Sequence, residues 1–563
     1  MKNPSAKRLA LFLSVITLAI ITAWTYHPVH SFGYIDYDDP AYIADNPYVN
    51  SGLDVQNIQW AFTFEESKGL PVYDGIQNLY HPITWISHMI DVEVFGVASP
   101  GAQHIVNLAI HLIAGVLLFF IFLKLLKNHV VALATAILFC IHPLHVESVA
   151  WLSERKDTLS ALFAFASILS YQFYAEKQSR SYQVSSVVFF VLALLAKPSV
   201  VILPGILMLL DQYQRHQMNK LDVEFLKKQC VHKLPWIIPS IVAALAAIYF
   251  QQGGSHGYFM HGMSLGDRIV LIPTRLSYYL YHTFSPTGLS FHYAPPPFSA
   301  PLISACCSIG LIVLTVFCYR VRMRFPLAIF ALLWFYVCIL PMSGIVHVGT
   351  SFIADRYTYL AIIGIFACVS AALIKYLPQR LAYIALTLIV LTCVWLAKQQ
   401  TQTWKDSYAL FSNAIEAQPR SAIGYVNLGA KYKLDGQLDK AAPLFEKAIE
   451  ISPHDYIAYH NLAQIHLAQK QWSRAERSLL MALKNYEHYA PSMKSLAKLY
   501  LIVPEMYHLE KALNFTKRYN TAVKERDPQM LGFEIKILLK LNRSNEAKAQ
   551  ALKLRRLPGN AEM

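Results

Sequence analysis

The chain has 563 residues, 55% hydrophobic and 13% aromatic, with only 15% charged and a formal net charge of +14. That composition excludes an ordinary soluble enzyme and indicates a polytopic membrane protein. Much of the positive excess sits in short loops between apolar runs, where the positive-inside rule expects it, so a nucleic-acid surface is rejected.

The N-terminus, KNPSAKR followed by LALFLSVITLAIITAW, is laid out like a signal peptide. It lacks a small-x-small cleavage site and is read as an uncleaved first span. Eleven apolar segments are expected to cross, at about 9–26, 105–123, 130–147, 158–174, 184–196, 199–210, 235–250, 299–319, 326–342, 355–374 and 381–397. The pair 184–196 and 199–210, split by AKPS, fits two short helices or a re-entrant hairpin. Residues 268–286 carry Arg268, Arg275 and a tyrosine-rich polar stripe, and are read as a helix lying on the outer surface.

With eleven crossings the basic clusters share one face: Lys2/Lys7/Arg8, Lys124/Lys127, Lys177/Arg180, Arg320/Arg322/Arg324, Lys375/Arg380 and the 211–233 loop with Arg215, Lys220, Lys227, Lys228 and Lys233. That face is cytoplasmic, which puts loop 27–104 and everything past residue 398 outside. The eight cysteines contain no CxxC spacing, so neither a disulfide framework nor a zinc site is expected.

Charge gathers where the chain leaves the first span. IDYDDP places Asp36, Asp38 and Asp39 there, and loop 27–104 adds Glu65, Glu66 and Asp74 against a single Lys68. NLYHPITWISHMID adds His81, His88 and Asp91. IHPLHVESVAWLSERKD adds His142, His145, Glu147, Glu154, Arg155, Lys156 and Asp157, while Lys197, Asp355 and Arg356 stand at expected outer boundaries. Ionisable groups at a hydrocarbon boundary pair or line a cavity, so these residues suggest a polar pocket opening outward. Such a pocket suits transfer from a lipid phosphate, held by Arg155, Lys156 or Arg356, with a carboxylate as general base on an incoming hydroxyl. Asp38 and Asp39 suit either that base or oxygen ligation of Mg²⁺ or Mn²⁺, and the sequence leaves both open. Plainer readings stand beside these. Asp38-Asp39-Pro40 also suits a turn and helix cap, His142 and His145 suit hydrogen-bonded helix-end histidines, and Glu154, Arg155 and Asp157 suit a structural ion-pair network.

Beyond the spans, residues 422–455 align with 456–489 at a period of 34. Tyr425, Leu428, Gly429, Tyr432, Ala441, Phe445, Ala448 and Pro453 fall opposite Tyr459, Leu462, Ala463, His466, Ala475, Leu479, Ala482 and Glu487. This is the tetratricopeptide signature. Residues 490–522 and 529–557 read as degenerate continuations. Stacked repeats form a grooved superhelix that binds a peptide or protein; a spacer or dimerisation arm is the plainer alternative.

The runs DYDDPAYIADNPYVNSGL, WAFTF, HPITWISHMID, FGVASPGAQHIVNLAIH, FCIHPLHVESVAWLSERKDTLS and LLAKPSVVILPGILMLLD occur in that order. Together they resemble the transmembrane and tetratricopeptide repeat-containing O-mannosyltransferase family, of the GT-C glycosyltransferase fold. The resemblance implies an all-α chain: a GT-C-type membrane domain over 1–398, then a tetratricopeptide α-solenoid over 404–557. It also implies an inverting transferase carrying mannose from a polyprenyl-phosphate donor to Ser or Thr of an external protein. In such a family the essential Asp lies just past the first span, here Asp38 and Asp39, with Asp36 as a lesser partner. A bacterial member would sit in the inner membrane, N-terminus cytoplasmic and repeats periplasmic. Two other readings compete: sugar transfer to an envelope lipid or glycan, and a non-enzymatic assembly factor.

Overall fold

The computed structural model describes residues 4–64, 80–215, 223–251, 264–294, 300–345, 351–523, 525, 527–555 and 557. Lys2, Glu65, Glu66, Lys68, Asp74 and Lys220, all part of the charge pattern, lie outside the described residues. Among the described residues every regular element is helical. The chain divides into two compact units, Met1–Leu410 and Phe411–Met563.

The first unit opens with α1 (Pro4–Tyr26), α2 (Val55–Thr63) and α3 (Pro82–Phe95). Next come α4 (Pro100–Leu126), α5 (His129–Ile141), the short α6 (Val146–Ala150), α7 (Arg155–Lys177), α8 (Arg180–Ala196) and α9 (Leu203–Gln214). They are followed by α10 (Val223–His232), α11 (Leu234–Gln251), α12 (Leu265–Val270) and α13 (Ile272–Phe284). The last apolar set is α14 (Ala300–Val321), α15 (Pro326–Ile339), α16 (Ile363–Tyr376) and α17 (Gln379–Thr403).

Each apolar segment of the sequence contains one of these helices, but they are not equal. Among the described residues five are long and apolar enough to cross a membrane, and α5 with Pro143–Ala150 makes a sixth, bent by 52°. Four further apolar helices are shorter. The bend falls at His142, whose extended backbone (φ −68°, ψ 134°) is what a residue before proline prefers. The expected span 355–374 is also cut short: residues 355–358 form a single 3₁₀ turn and the helix begins at Ile363. Neither α12 nor α13 is long and apolar enough to cross. Large apolar side chains stand exposed along α1 (Phe12, Ile20), α14 (Leu302, Ile312) and α17 (Leu388, Leu391), a surface suited to hydrocarbon. The unit is a membrane-associated helical domain.

Between α1 and α4 the chain folds a small core of its own. Tyr48 lies parallel to Trp60 at 4.6 Å, Trp60 meets Trp85 edge-on at 5.4 Å, and Leu152 joins them from the start of the α7 region. Aromatic burial on this scale docks the loop firmly.

In the second unit, α18 (Ser407–Ala417) leads into helix pairs α19 (Ala422–Leu434)/α20 (Leu438–Ile451) and α21 (Tyr456–Ala468)/α22 (Trp472–Asn485). Two more follow, α23 (Ala490–Ile502)/α24 (Leu509–Ala522) and α25 (Pro528–Lys540)/α26 (Ser544–Arg555). The faded stretches 490–522 and 529–557 are therefore true helix pairs. Small residues sit where helices touch: a Cβ on Gly429 would come within 3.0 Å of the Phe445 ring.

In three of the four pairs the turn after the first helix holds a left-handed residue. Gly436 supplies it at φ +74° in the first pair, whereas Lys470 holds the equivalent place at φ +59° and Asn542 does so in the fourth. A side chain there carries a steric cost that glycine lacks. Replacing Lys470 by Gly is expected to stabilise the repeat unit by about 1 kcal/mol, seen as a higher thermal midpoint of its transition in the full chain.

Candidate functional site

The three aspartates past α1 have three different surroundings. Pro40–Ala44 forms a single π-helical turn, a feature common at functional sites, with Pro40 at a position that needs no N–H. Its start is fixed by the Tyr42 N–H donating to the Asp38 carbonyl at 2.9 Å. Asp39 is buried. Its Oδ2 accepts from the Ile35 N–H at 2.9 Å, and its Oδ1 accepts from the Ser153 N–H at 3.0 Å and the Ser153 hydroxyl at 2.5 Å. Burial pushes its carboxyl up to about 6 despite these bonds. Asp36 is exposed; its N–H donates to Ser407 Oγ at 2.8 Å, and that hydroxyl donates back to Asp36 Oδ2 at 3.0 Å.

Asp38 is half-buried, and among the described residues its carboxylate takes part in no hydrogen bond and no ion pair. It lies within electrostatic reach of Lys156, Glu154 and Arg356. Burial raises its carboxyl above the usual carboxylate range; Lys156 pulls it down and Glu154 pushes it further up. The two expected site carboxylates therefore differ: Asp39 is tied to Ile35 and Ser153, and Asp38 makes no such bond.

Around Asp38 stands an ion cluster drawn from three distant stretches. Glu154 Oε1 meets Lys156 Nζ at 3.0 Å and Arg356 Nε at 3.2 Å, and its Oε2 meets Lys197 Nζ at 3.4 Å. Lys197 also reaches Asp157 at 2.6 Å, while Arg356 pairs with Glu147 through both its guanidinium and its backbone N–H. Lys156 donates to the Tyr42 hydroxyl at 3.2 Å and lies 4.7 Å from that ring's centre. The side chains of Lys156, Lys197 and Arg356 keep 11%, 12% and 15% exposure, so each still reaches open space. His81 stacks on Trp85 at 4.9 Å and on Tyr42 at 5.5 Å; burial lowers its basicity well below the usual histidine value, so it is neutral there.

Other expected pocket residues are placed elsewhere. Arg155 is wholly buried, paired with Asp91 at 2.5 Å and donating to Asn107, Ser87 and the Gln103 carbonyl. It ties α3 to α4 and α7 and has no face toward a phosphate. His88 is buried beside it with neither ring nitrogen hydrogen-bonded. His142 Nε2 faces the Thr283 carbonyl at 3.1 Å and His145 Nδ1 the Phe139 carbonyl at 2.7 Å, which makes both of them helix-end packing groups. Asp355 accepts from the Tyr293 hydroxyl at 2.8 Å. The hydroxyls of Tyr42, Ser153 and Tyr293 take part without any sequence signal, since lone hydroxyls are too common to stand out.

Both Asp39 oxygens are occupied, and among the described residues no group of three or more His, Cys, Asp or Glu side chains is gathered as metal ligands. Asp38 and Asp39 do not fit a shared divalent-cation site, because both Asp39 oxygens are already taken by Ile35 and Ser153.

The repeat unit has a site of its own. A groove of about 410 Å³ runs between α21 and α23, lined by His460, Gln464, Lys494, Ser495 and Lys498 with Val503 at its edge. Lys494 is paired with Asp527 at 2.8 Å, whereas Lys498 has no ion pair among the described residues.

An all-α membrane unit followed by a tetratricopeptide solenoid is the class these features define. Residues 434–499 match the family model described as tetratricopeptide repeat. The chain is 23% identical to the protein O-mannosyl-transferase F38B6.6 of Caenorhabditis elegans, over 70% of this chain and 56% of that protein. It is 32% identical to the mouse protein O-mannosyl-transferase TMTC1 over 24% of this chain and 14% of that protein, and 29% identical to human TMTC1 over 24% and 15%. Its relatives are therefore TMTC-type protein O-mannosyl-transferases, the family that the loop motifs resemble. The chain spans little more than half the length of the nematode relative and less of the others. A solved structure of PilW, a type IV pilus biogenesis factor, aligns with 34% of this chain and 82% of its own at 22% identity and a TM-score of 0.23.

Removing the Arg155 charge while leaving Asp91 buried is expected to cost about 3–5 kcal/mol. Arg155→Met should lower the thermal midpoint of the detergent-solubilised protein, and adding Asp91→Asn should restore much of the loss.

Proposed function

We propose that this chain is an inverting glycosyltransferase of the GT-C type that moves a sugar, by kinship mannose, from a polyprenyl phosphate to a Ser or Thr hydroxyl of an external protein. The single observation that carries the reading is the uncommitted Asp38 carboxylate within electrostatic reach of two partly exposed cations, Lys156 and Arg356. In the reaction the acceptor hydroxyl attacks the sugar C1 from the face opposite the phosphate. Asp38 takes the hydroxyl proton, the new C1–O bond forms, and the C1–O bond to phosphate breaks with its electron pair leaving on the lipid phosphate. Inversion at C1 follows from that in-line geometry, as in inverting glycosidases. Lys156, Lys197 and Arg356 supply positive charge for the phosphate, exchanging part of their carboxylate contact for it. The cluster and the repeat unit face the outer side in this reading, as the distribution of basic loops supports.

The basic groove at Lys498 suits it to hold the protein acceptor. Because Trp404 stacks on Trp151 at 5.3 Å and Ser407 holds Asp36, a deletion that tests the repeats must begin after Leu410. Lys498→Glu is expected to raise KM for the protein acceptor with kcat little changed, the signature of lost binding alone.

The test is transfer of radiolabelled mannose from polyprenyl-phosphate mannose to protein in membranes. Asp38→Asn should fold with an unchanged thermal midpoint and lose at least about 100-fold in rate, the scale of general-base catalysis. Wild-type transfer by Asp38→Asn would remove the proposed base. Because the Asp38 carboxyl lies above the ordinary carboxylate range and must be ionised to act, activity should fall as pH drops through that raised value. An acid limb at the ordinary carboxylate value would contradict the assignment.

A further inference from the structure

The groove between α21 and α23 changes character from one repeat to the next. His460 and Gln464 face it from α21, and one 34-residue period later Lys494 and Lys498 face it from α23. Residues four apart share a helix face, so each helix presents a pair. The α21 pair is neutral. His460 Nδ1 lies 2.9 Å from Ser492 Oγ, with its basicity lowered by burial to about 4, and Gln464 donates to the Ser495 hydroxyl at 2.9 Å. None of the groove-lining side chains is Asp or Glu. Lys494 is neutralised from outside the groove by Asp527, whose oxygens also accept from the Tyr519 hydroxyl at 2.9 Å and from the Met530 N–H at 3.1 Å.

Lys498 is half-buried and makes no hydrogen bond or ion pair among the described residues. The acids of this stretch are committed elsewhere: Asp455 caps α21, Glu476 takes the Tyr500 hydroxyl and Lys511, and Glu487 meets Arg518. On α19, Lys433 is also half-buried; its Nζ donates to Asn461 Oδ1 at 2.6 Å and meets no carboxylate among the described residues. A partly desolvated ammonium without a counter-charge is costly, and a ligand carboxylate offsets that cost. The rest of the lining is apolar, with Leu467, Val503 and an exposed Ile502.

We propose that this groove selects acceptor segments rich in Asp or Glu, with one carboxylate at Lys498, a neighbouring apolar side chain at Ile502 and a second carboxylate at Lys433. That the segment belongs to the acceptor rests on the transferase reading; the groove's preference for acid does not. A neutral or basic segment would leave Lys498 and Lys433 half-buried and unpartnered, and the preference arises from that difference. Charge-assisted bonds to a carboxylate are about twice as strong as neutral ones and weaken with salt.

The experiment measures binding without turnover, on the full chain in a neutral detergent. The probe is a fluorescent peptide alternating Glu and Leu around one Thr, followed by anisotropy, with Gln-for-Glu and Lys-for-Glu peptides beside it. Wild type and Asp38→Asn should both bind the Glu peptide at least about tenfold more tightly than the Gln peptide, and added salt should narrow the gap. Lys498→Gln should weaken Glu-peptide binding about tenfold and Lys433→Gln by less, whereas Lys498→Arg keeps the charge and the affinity. Lys498→Glu should turn the preference toward the Lys peptide, a reversal that loss of folding does not produce. Equal affinity for Glu and Gln peptides, or Glu-peptide binding unmoved by Lys498→Gln, overturns the proposal. Sugar labelling of the bound peptide by wild type but not by Asp38→Asn supports its assignment as acceptor. Binding without labelling upholds the acid preference and refutes that assignment.

Discussion

Glu154 is one carboxylate shared by three cations, and the shape of the first unit at this end follows from it. Its partners come from the next helical turn (Lys156), the break between α8 and α9 (Lys197), and the turn before α16 (Arg356). A buried charge left without its partners would be strongly destabilising, so the starts of α7, α9 and α16 are drawn to one place. Glu147 and Asp157 complete the balance against the three cations. Asp38 is then a carboxylate in excess, kept near the cations and bonded to none of them. In the proposed reaction that imbalance leaves Asp38 free to take a proton.

The loop that carries Asp38 has little freedom. Asp39 staples it to Ser153, Arg155 anchors its α3 helix through Asp91, and Asp36 is held by Ser407 just past α17. The stacking of Trp151 on Trp404 closes the same side. Groups fixed in this way lose little further entropy on meeting a substrate, which is the physical content of preorganisation. The unused valence of Asp38 is held in place by the used valences of its neighbours.

Much of this was legible in the sequence, though unevenly. The 34-residue spacing reports a repeat because the same helix contact recurs, as Gly429 against Phe445 illustrates. Lys197 and Arg356 were legible as boundary charges, since ions near hydrocarbon have few alternatives to pairing. What stayed hidden was phase. Arg155 and Lys156 are adjacent, yet one residue of helix turns the side chain by about 100°, sending Arg155 to α3 and α4 and Lys156 to Tyr42. Asp38 and Asp39 are also adjacent, yet Asp38 stands in the turn and Asp39 at the start of the Pro40–Ala44 helical turn. The bend at His142-Pro143 was written in the pre-proline residue, whereas the delayed start of α16 at Ile363 was not, because Leu360, Ala361 and Ile362 just before it are as apolar as the helix itself. Tyr42 and Ser153 act through hydroxyls, whose roles depend on the fold alone.

The central claim is that Asp38 faces the reacting carbon of a lipid-linked sugar. It is tested most directly by cryo-electron microscopy of the full chain with a non-hydrolysable polyprenyl-phosphate sugar analogue. Sugar density is expected over the Pro40 turn, with the Asp38 carboxylate on the side of C1 away from the phosphate, about 3 Å from where an acceptor oxygen would stand. Density for the sugar at the opposite end of α7, or with Asp38 turned away from it, would rule out Asp38 as the base.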